Sequence, residues 1–473
     1  APSRPPCDEA FELIPELAEF AWPPSGPRAE RSSLLYHASL YQEGEEPSEE
    51  ERAEARAKVC REYPAAAPPP GFRFGPCGQI LNGPSEVIYD GLEGGKDSLL
   101  ALDDGELSAV LNLDYLLDNE VVPTSSPGVP YVLLGKDNRT ILSGPGRDFI
   151  RSALLTRFRL LLQTPLSQLA GLTAEQLVEG GFCDPVKVFV KNEPHKVQKL
   201  RDGRYRIISN VSLVDSLLER VLFRKQNQLE IARWQTCPSK PGMGLHDEGL
   251  QALYDLFVDA QARFPLAESD VSGWDWNVKG WMMEDDMLMR ASLAGARRGS
   301  PFYHMLMARY YCVSLKVFVL SDGSMVAQRV RGIQASGSYN TSAGNSRMRV
   351  HLAYVVGVGW VVAMGDDDVE EFDESGAVVA NYRRLGIPLK DYKLCGQGSF
   401  EFCSTRFEGS WRGVPVNVAR TIYRYLSHSP ASRTVNPEFR AQLANDLRHH
   451  PRQQEYLALV DSITELESKP CQQ

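Results

Sequence analysis

Apolar and polar positions change period along this chain, and the changes mark its elements. Alternation and short apolar runs predict strands over 186–190, 205–208, 265–269, 317–320, 326–331, 359–364 and 368–372. Helical spacing predicts helices over 107–117, 147–162, 213–231, 278–293 and 345–356, with an exposed, charged helix over 49–63. The methionines of 278–293 read as core rather than ligands. The run Pro68-Pro69-Pro70 cannot continue a helix and reads as part of a connector over 65–71. Residues 123–130 form a turn-rich loop, and Ser321-Asp322-Gly323-Ser324 reads as a hairpin turn. The longest apolar run, 354–364, is about half of what a membrane crossing needs.

Length and charge narrow the picture. A chain of 473 residues is long enough for two or three lobes, each with its own core. A formal charge of −10 argues against a general nucleic-acid binder. Local clustering matters more. Seven basic residues stand between Lys187 and Arg206, against only Glu193 and Asp202, while acids concentrate over 43–54. An acidic exterior with a basic channel suits an enzyme that grips a polyanion only at its working site. The nine cysteines, at 7, 60, 77, 183, 237, 312, 395, 403 and 471, show no C-x-x-C spacing. They predict reduced thiols in a cytosolic setting, without a zinc site. The start lacks the apolar stretch of a signal peptide, and the missing initiator Met fits a piece cut from a polyprotein or a trimmed chain.

Four segments carry candidate chemistry. Gly365-Asp366-Asp367 follows an apolar strand, so two acids project from a tight turn. Taken alone, it also suits an ordinary turn. Asp270 ends another apolar strand, with Asp275 five residues on, after a glycine. If the two strands are neighbours, Asp270 and Asp366 converge, and a divalent cation resolves their repulsion. Small and polar residues from Ser336-Gly337 to Thr341 and Asn345 run into a helix and suit contacts to phosphate or sugar. Lys191, Glu193, Lys196, Arg204 and Arg206 line a loop whose cations suit a triphosphate and its departing pyrophosphate.

The order of these segments is more specific than any one of them. Basic loop, D-x4-D, S-G-x3-T-x3-N, G-D-D and a lysine-bearing segment resemble motifs F, A, B, C and D of positive-strand RNA virus polymerases. The wording is most similar to sobemovirus, polerovirus and barnavirus polymerases, over roughly 124–407. Residues 124–130 resemble motif G and 400–407 occupy the place of motif E.

The resemblance implies an α+β right-hand fold. Residues 1–75 would be an N-terminal extension joining the fingers, and 76–262 mainly fingers. Residues 263–410 would be mainly palm, with a fingers insertion near 295–332, and 411–473 a small thumb. It implies template-directed RNA synthesis with two magnesium ions, manganese being a substitute. Asp270, Asp366, Asp367 and the carbonyl of Val271 would hold metal, and Lys390 would be the general acid, with Lys393 the alternative. Lys191, Arg204 and Arg206 would hold the triphosphate, and Asp275, Ser336, Gly337, Thr341 and Asn345 the nucleotide sugar. Ser125, Gly128, Pro130, Glu193 and Lys196 would meet template or primer, and Glu193 would also brace the basic loop. The implied partners are RNA template and product, nucleoside triphosphates, a genome-linked protein primer and other replication proteins. The implied setting is a membrane-associated complex in the host cytoplasm. A third acid, Asp368, departs from the motif. Three rival classes are weighed. A reverse transcriptase usually carries a bulky residue near the sugar. A P-loop ATPase needs G-x4-G-K-[ST], which does not occur. A non-enzymatic RNA-binding protein need not carry both acid pairs.

Overall fold

Period-two alternation gives the central sheet two different faces. In the structure, a computed structural model describing residues 4–74, 79–81 and 94–469, this sheet has four antiparallel strands. Their order is Leu389–Leu394, Leu266–Val271, Asp367–Glu371 and Val361–Met364. Leu266, Val362 and Val369 face one side, in a core with Phe257, Phe400 and Phe402. Val361 and Ala363 face the other side and join the largest core. There the helix Thr341–Val355 packs against the sheet and the helices Gly280–Leu293 and Glu49–Glu62.

A second mixed sheet has the order Ile207–Asn210, Val186–Val190, Val317–Val319 and Met325–Ala327. The hairpin 317–327 therefore joins a sheet begun far earlier in the chain. A smaller antiparallel unit, Ser399–Phe402 with Thr405–Glu408 and Val414–Pro415, follows the central sheet. The C-terminal helices Val418–Leu426, Pro430–Val435, Pro437–Asp446 and Gln453–Ser468 come last. They share a core with the N-terminal residues Ala10, Ile14, Leu17 and Phe20. Phe20–Ala21 also pairs with His195–Lys196 in the basic loop.

Several expectations need correction. The helix expected over 107–117 is two helices, Asp104–Val110 and Leu113–Asn119, broken where Asn112 takes φ 58°. The helix Glu49–Glu62 is not simply exposed. Arg52 is 6% exposed and donates to both oxygens of Asp285, at 3.0 and 2.8 Å. The helix expected from 345 begins at Thr341. The strand Leu389–Leu394 and the helices Asp247–Arg263 and Pro301–Val313 were not anticipated. Cys7, Cys60, Cys183, Cys237, Cys312, Cys395 and Cys403 are free thiols, while Cys77 and Cys471 lie outside the described residues. Among the described residues, no helix is long and apolar enough to cross a membrane.

Candidate active site

Strand register brings the acids together. Ser269 pairs with Asp368, and Met364 with Asp367. Side chains alternate across a strand, so Asp270 and Asp367 share one face while Ser269 and Asp368 share the other. Gly365 makes the turn with φ 60°, a conformation glycine adopts without strain. Its N–H donates to Ser346 Oγ at 2.9 Å. Asp366 and Asp367 stand exposed at the hairpin tip.

The protein around them still restricts their hydration. That raises the Asp366 carboxyl above the usual carboxylate range, and the charge of Asp270 raises it further, against Arg349 and Arg206. Asp367 is pushed up to about 7 by the same restriction and then by Asp366 and Asp270. A carboxyl raised by the charge of neighbouring carboxylates marks a place for cations. Lys390 Nζ lies 3.4 Å from Asp270 Oδ2, whereas Lys393 pairs with Asp391 at 3.7 Å. Among the described residues, no group of three or more His, Cys, Asp or Glu closes around a metal position. Carboxylate oxygens are hard donors and suit a hard divalent cation.

Asp368 belongs to a different system. It is buried, accepts from Ser269 Oγ at 2.7 Å and pairs with Arg349 at 2.7 Å. Arg349 comes from the helix behind the sheet and also reaches Tyr382 at 2.9 Å. The third acid is a core ion pair.

Asp275 and Asn345 meet across the site. Asn345 Nδ2 donates to Asp275 Oδ1 at 3.2 Å, and Trp274 Nε1 donates to Asn345 Oδ1 at 3.0 Å. Burial, and then the charge of Asp366, push Asp275 up to about 6. The loop before Asn345 is held on its own terms. Ser336 Oγ accepts from the Ser209 N–H at 3.0 Å, and a Cβ at Gly337 would collide with the Ser209 carbonyl oxygen. Thr341 Oγ1 lies 2.8 Å from the carbonyl oxygens of both Ser336 and Ser338, so its one proton stays within the loop.

The basic loop converges on one acid. Glu193, 7% exposed, pairs with Arg206 at 2.6 Å and Lys191 at 3.1 Å. It also pairs with Arg420 at 3.0 Å and lies 3.9 Å from Arg424. Glu193 thus braces the basic loop. His195 helps, with Nδ1 at 2.7 Å from the Glu193 carbonyl and Nε2 accepting from the Arg206 N–H at 3.0 Å. Arg204 pairs with Asp202 at 2.6 Å. Lys196 is exposed beside a cavity of about 200 Å³ that also meets Lys199, Arg206 and Arg420. Sequence reasoning missed Arg420 and Arg424, whose four-residue spacing on one helix was the available signal.

The loop 123–130 packs against the same sheet. Leu213 N–H donates to the Pro127 carbonyl at 2.8 Å, and Gly128 takes φ 72° against Ser212. Ser125, Ser126, Asn210, Arg220 and Gly337 line a groove of about 470 Å³ beside it. Pro130 is exposed at its end.

The family model for viral RNA-directed RNA-polymerase matches residues 136–434, most of the chain and every element of this site except the 123–130 loop. The chain belongs to the viral RNA-directed RNA-polymerase family. It is 40% identical over 350 residues to the RNA-directed RNA polymerase of mushroom bacilliform virus, covering 71% of this chain and 81% of that one. It is 37% identical over 430 residues to the replicase polyprotein P2AB of southern bean mosaic virus. It is 36% identical over 471 residues to protein P1-P2 of turnip yellows virus. The match covers 88% and 94% of this chain but only 40% and 42% of those two proteins. In fold, this polymerase-family chain is similar to the crystal structure of a human picobirnavirus RNA-dependent RNA polymerase. That match has a TM-score of 0.59 at 12% identity, over 97% of this chain and 79% of that one. The α+β right-hand architecture is thereby established, and divalent-metal chemistry comes with the family.

Proposed function

We propose that Asp270 and Asp366 hold the divalent ions of an RNA polymerase that extends an RNA 3′-hydroxyl with ribonucleotides chosen by an RNA template. One observation carries this reading: register sets Asp270 at the end of one strand beside the Gly365-Asp366-Asp367 turn of its neighbour, where its charge raises the Asp366 carboxyl, next to the Asp275–Asn345 pair and within the field of Arg206. Two magnesium ions, with manganese as a substitute, would activate the 3′-hydroxyl and neutralise the departing pyrophosphate. Asp367 and the Val271 carbonyl would complete their protein ligands.

The chain's own residues do the rest. Arg206 and Lys191, braced by Glu193, bind the triphosphate, the guanidinium as a fork and the ammonium as a point charge, with Arg204 close by. A ribose 2′-hydroxyl donates to Asp275 and accepts from Asn345; a deoxyribose leaves both without that partner. Lys390, beside Asp270, delivers a proton to pyrophosphate. Ser125, Gly128 and Pro130 border the template path, and Lys196 its basic margin.

We assign 76–262 mainly to fingers and 263–410 mainly to palm, with the 317–327 hairpin as part of a fingers insertion. We assign 411–473 to the thumb. The N-terminal extension, described over 4–74, joins the fingers and packs against the C-terminal helices. A genome-linked protein primer, other replication proteins and a membrane-associated cytoplasmic complex fit a polymerase whose relatives are parts of replicase polyproteins.

Primer extension on an RNA template, with magnesium withheld and then restored, tests the assignment. Incorporation is expected only with the metal, and to be lost in Asp366→Ala while the protein stays folded. Retained incorporation by Asp366→Ala overturns it. Comparing ribonucleotides with deoxyribonucleotides separates this reading from a reverse transcriptase.

A further inference from the structure

The loop Ser336–Asn340 feeds the sugar-facing helix, and neighbouring elements hold it from two sides. On its front it leans on the Ser209 strand. On its back stands Glu219, from the helix Leu213–Ala232, 1% exposed. Ser338 Oγ donates to Glu219 Oε2 at 2.9 Å, and the Tyr339 N–H donates to the same oxygen at 3.2 Å. Arg309, from the helix Pro301–Val313, donates to Glu219 Oε1 at 2.7 Å. Arg309 is anchored in turn near Asp215, at 3.5 Å, and Asp215 pairs with Arg157 at 3.0 Å. A small cavity of about 50 Å³, lined by Glu219, Arg309, Lys316, Gln334 and Ser338, lies beneath the loop. The underside is therefore held by charge-assisted hydrogen bonds rather than by close packing.

We infer that Glu219 is a positioning residue for ribose selection: with Arg309 behind it, it clamps Ser338 and Tyr339 and so sets where Asn345 meets Asp275. The chain of contacts is continuous. Ser338 Oγ accepts from the Asn340 N–H at 3.2 Å, and the Ser338 carbonyl accepts from Thr341, the first residue of the helix that carries Asn345. On the other side of the loop, the Gln334 N–H donates to the Asp275 carbonyl at 2.9 Å. Loosening the clamp shifts one half of the pair against the other. The buried Glu219 touches no nucleotide, so its effect passes through the loop.

This inference rests on the reading of Asp275 and Asn345 as the sugar contact, and the test separates the two. Steady-state incorporation of a ribonucleotide and its 2′-deoxy analogue is measured for the full chain and for Asn345→Ala, Glu219→Gln, Ser338→Ala and the double variant. Thermal unfolding and RNA affinity serve as controls. Ser338→Ala and Glu219→Gln should each lower ribose-over-deoxyribose discrimination, by about tenfold for Glu219→Gln, the scale of one charge-assisted hydrogen bond. RNA affinity should hold within about twofold, and the double variant should fall short of the product of the single effects. If Asn345→Ala leaves discrimination unchanged, the sugar reading itself fails. If Asn345→Ala changes discrimination while Ser338→Ala does not, the clamp is overturned. Should Glu219→Gln not fold, Ser338→Ala decides alone, because it keeps the Glu219–Arg309 pair.

Discussion

At the scale of the residue, adjacent acids of one motif have opposite jobs. Asp367 is exposed on the face of Asp270, while Asp368 is enclosed against Arg349. Asp368→Asn leaves a buried guanidinium partly unpaired and should destabilise the protein by about 3 kcal/mol. Asp367→Asn removes a carboxylate that its surroundings push up to about 7, so at neutral pH it should leave the protein as stable as the parent or more stable. Urea unfolding midpoints compare the two, and equal losses would contradict this division. The two lysines divide similarly. Lys390→Ala should slow incorporation by about 10²-fold, the lower end for a general acid, whereas Lys393→Ala should stay close to the parent. Single-turnover rates at saturating nucleotide measure both. The reason for the asymmetry is position: one ammonium meets Asp270 and the other meets Asp391.

At the scale of the element, the helix Thr341–Val355 presents Asn345 at one end and buries charge along its length. His351, wholly buried, lies with Nε2 3.4 Å from Asp285 Oδ2. Burial lowers its pKa to about 4 from an ordinary 6.5, with Asp285 opposing. The unfolded chain takes up this proton first as pH falls. The contribution of the neutral imidazole is thus complete above about pH 6.5 and is lost progressively towards pH 4. The full loss is about 3 kcal/mol. His351→Leu should remove this part of the acid sensitivity, so the difference in unfolding free energy between parent and variant should vary across that window. A constant difference from pH 7 to pH 4 would show that His351 does not titrate there. The sequence showed this helix but not its start, because Thr341–Gly344 is composed like a loop yet forms the first turn of the helix.

At the scale of the whole molecule, the two ends of the chain share one core. Phe20 is 4% exposed, packs near Tyr423 with ring centroids 6.1 Å apart, and belongs to a strand that pairs with the basic loop. Phe20→Ala should cost about 3 kcal/mol, as large-to-small core changes do. Amide exchange should quicken over 418–468 and around Lys196 while the central sheet keeps its protection; uniform quickening would deny the link. Legibility followed the range of the forces involved. The Gly-Asp-Asp turn, the strand before Asp270 and the polar start before Asn345 were visible because backbone freedom, apolar runs and local hydrogen bonding act over a few residues. The edge strand Leu389–Leu394 was hidden, since Lys390, Asp391 and Lys393 read as surface until Leu266–Val271 pairs with them. The helix Asp247–Arg263 did carry a signal, in Leu250, Leu253, Phe257 and Ala260, and went unread. The sequence by itself determined which residue types and turns this polymerase brings to its centre. Only the tertiary structure decided which acid faces the cleft and which the core, and which distant cations close on Glu193, because strand pairing and burial act between residues that the chain order keeps apart.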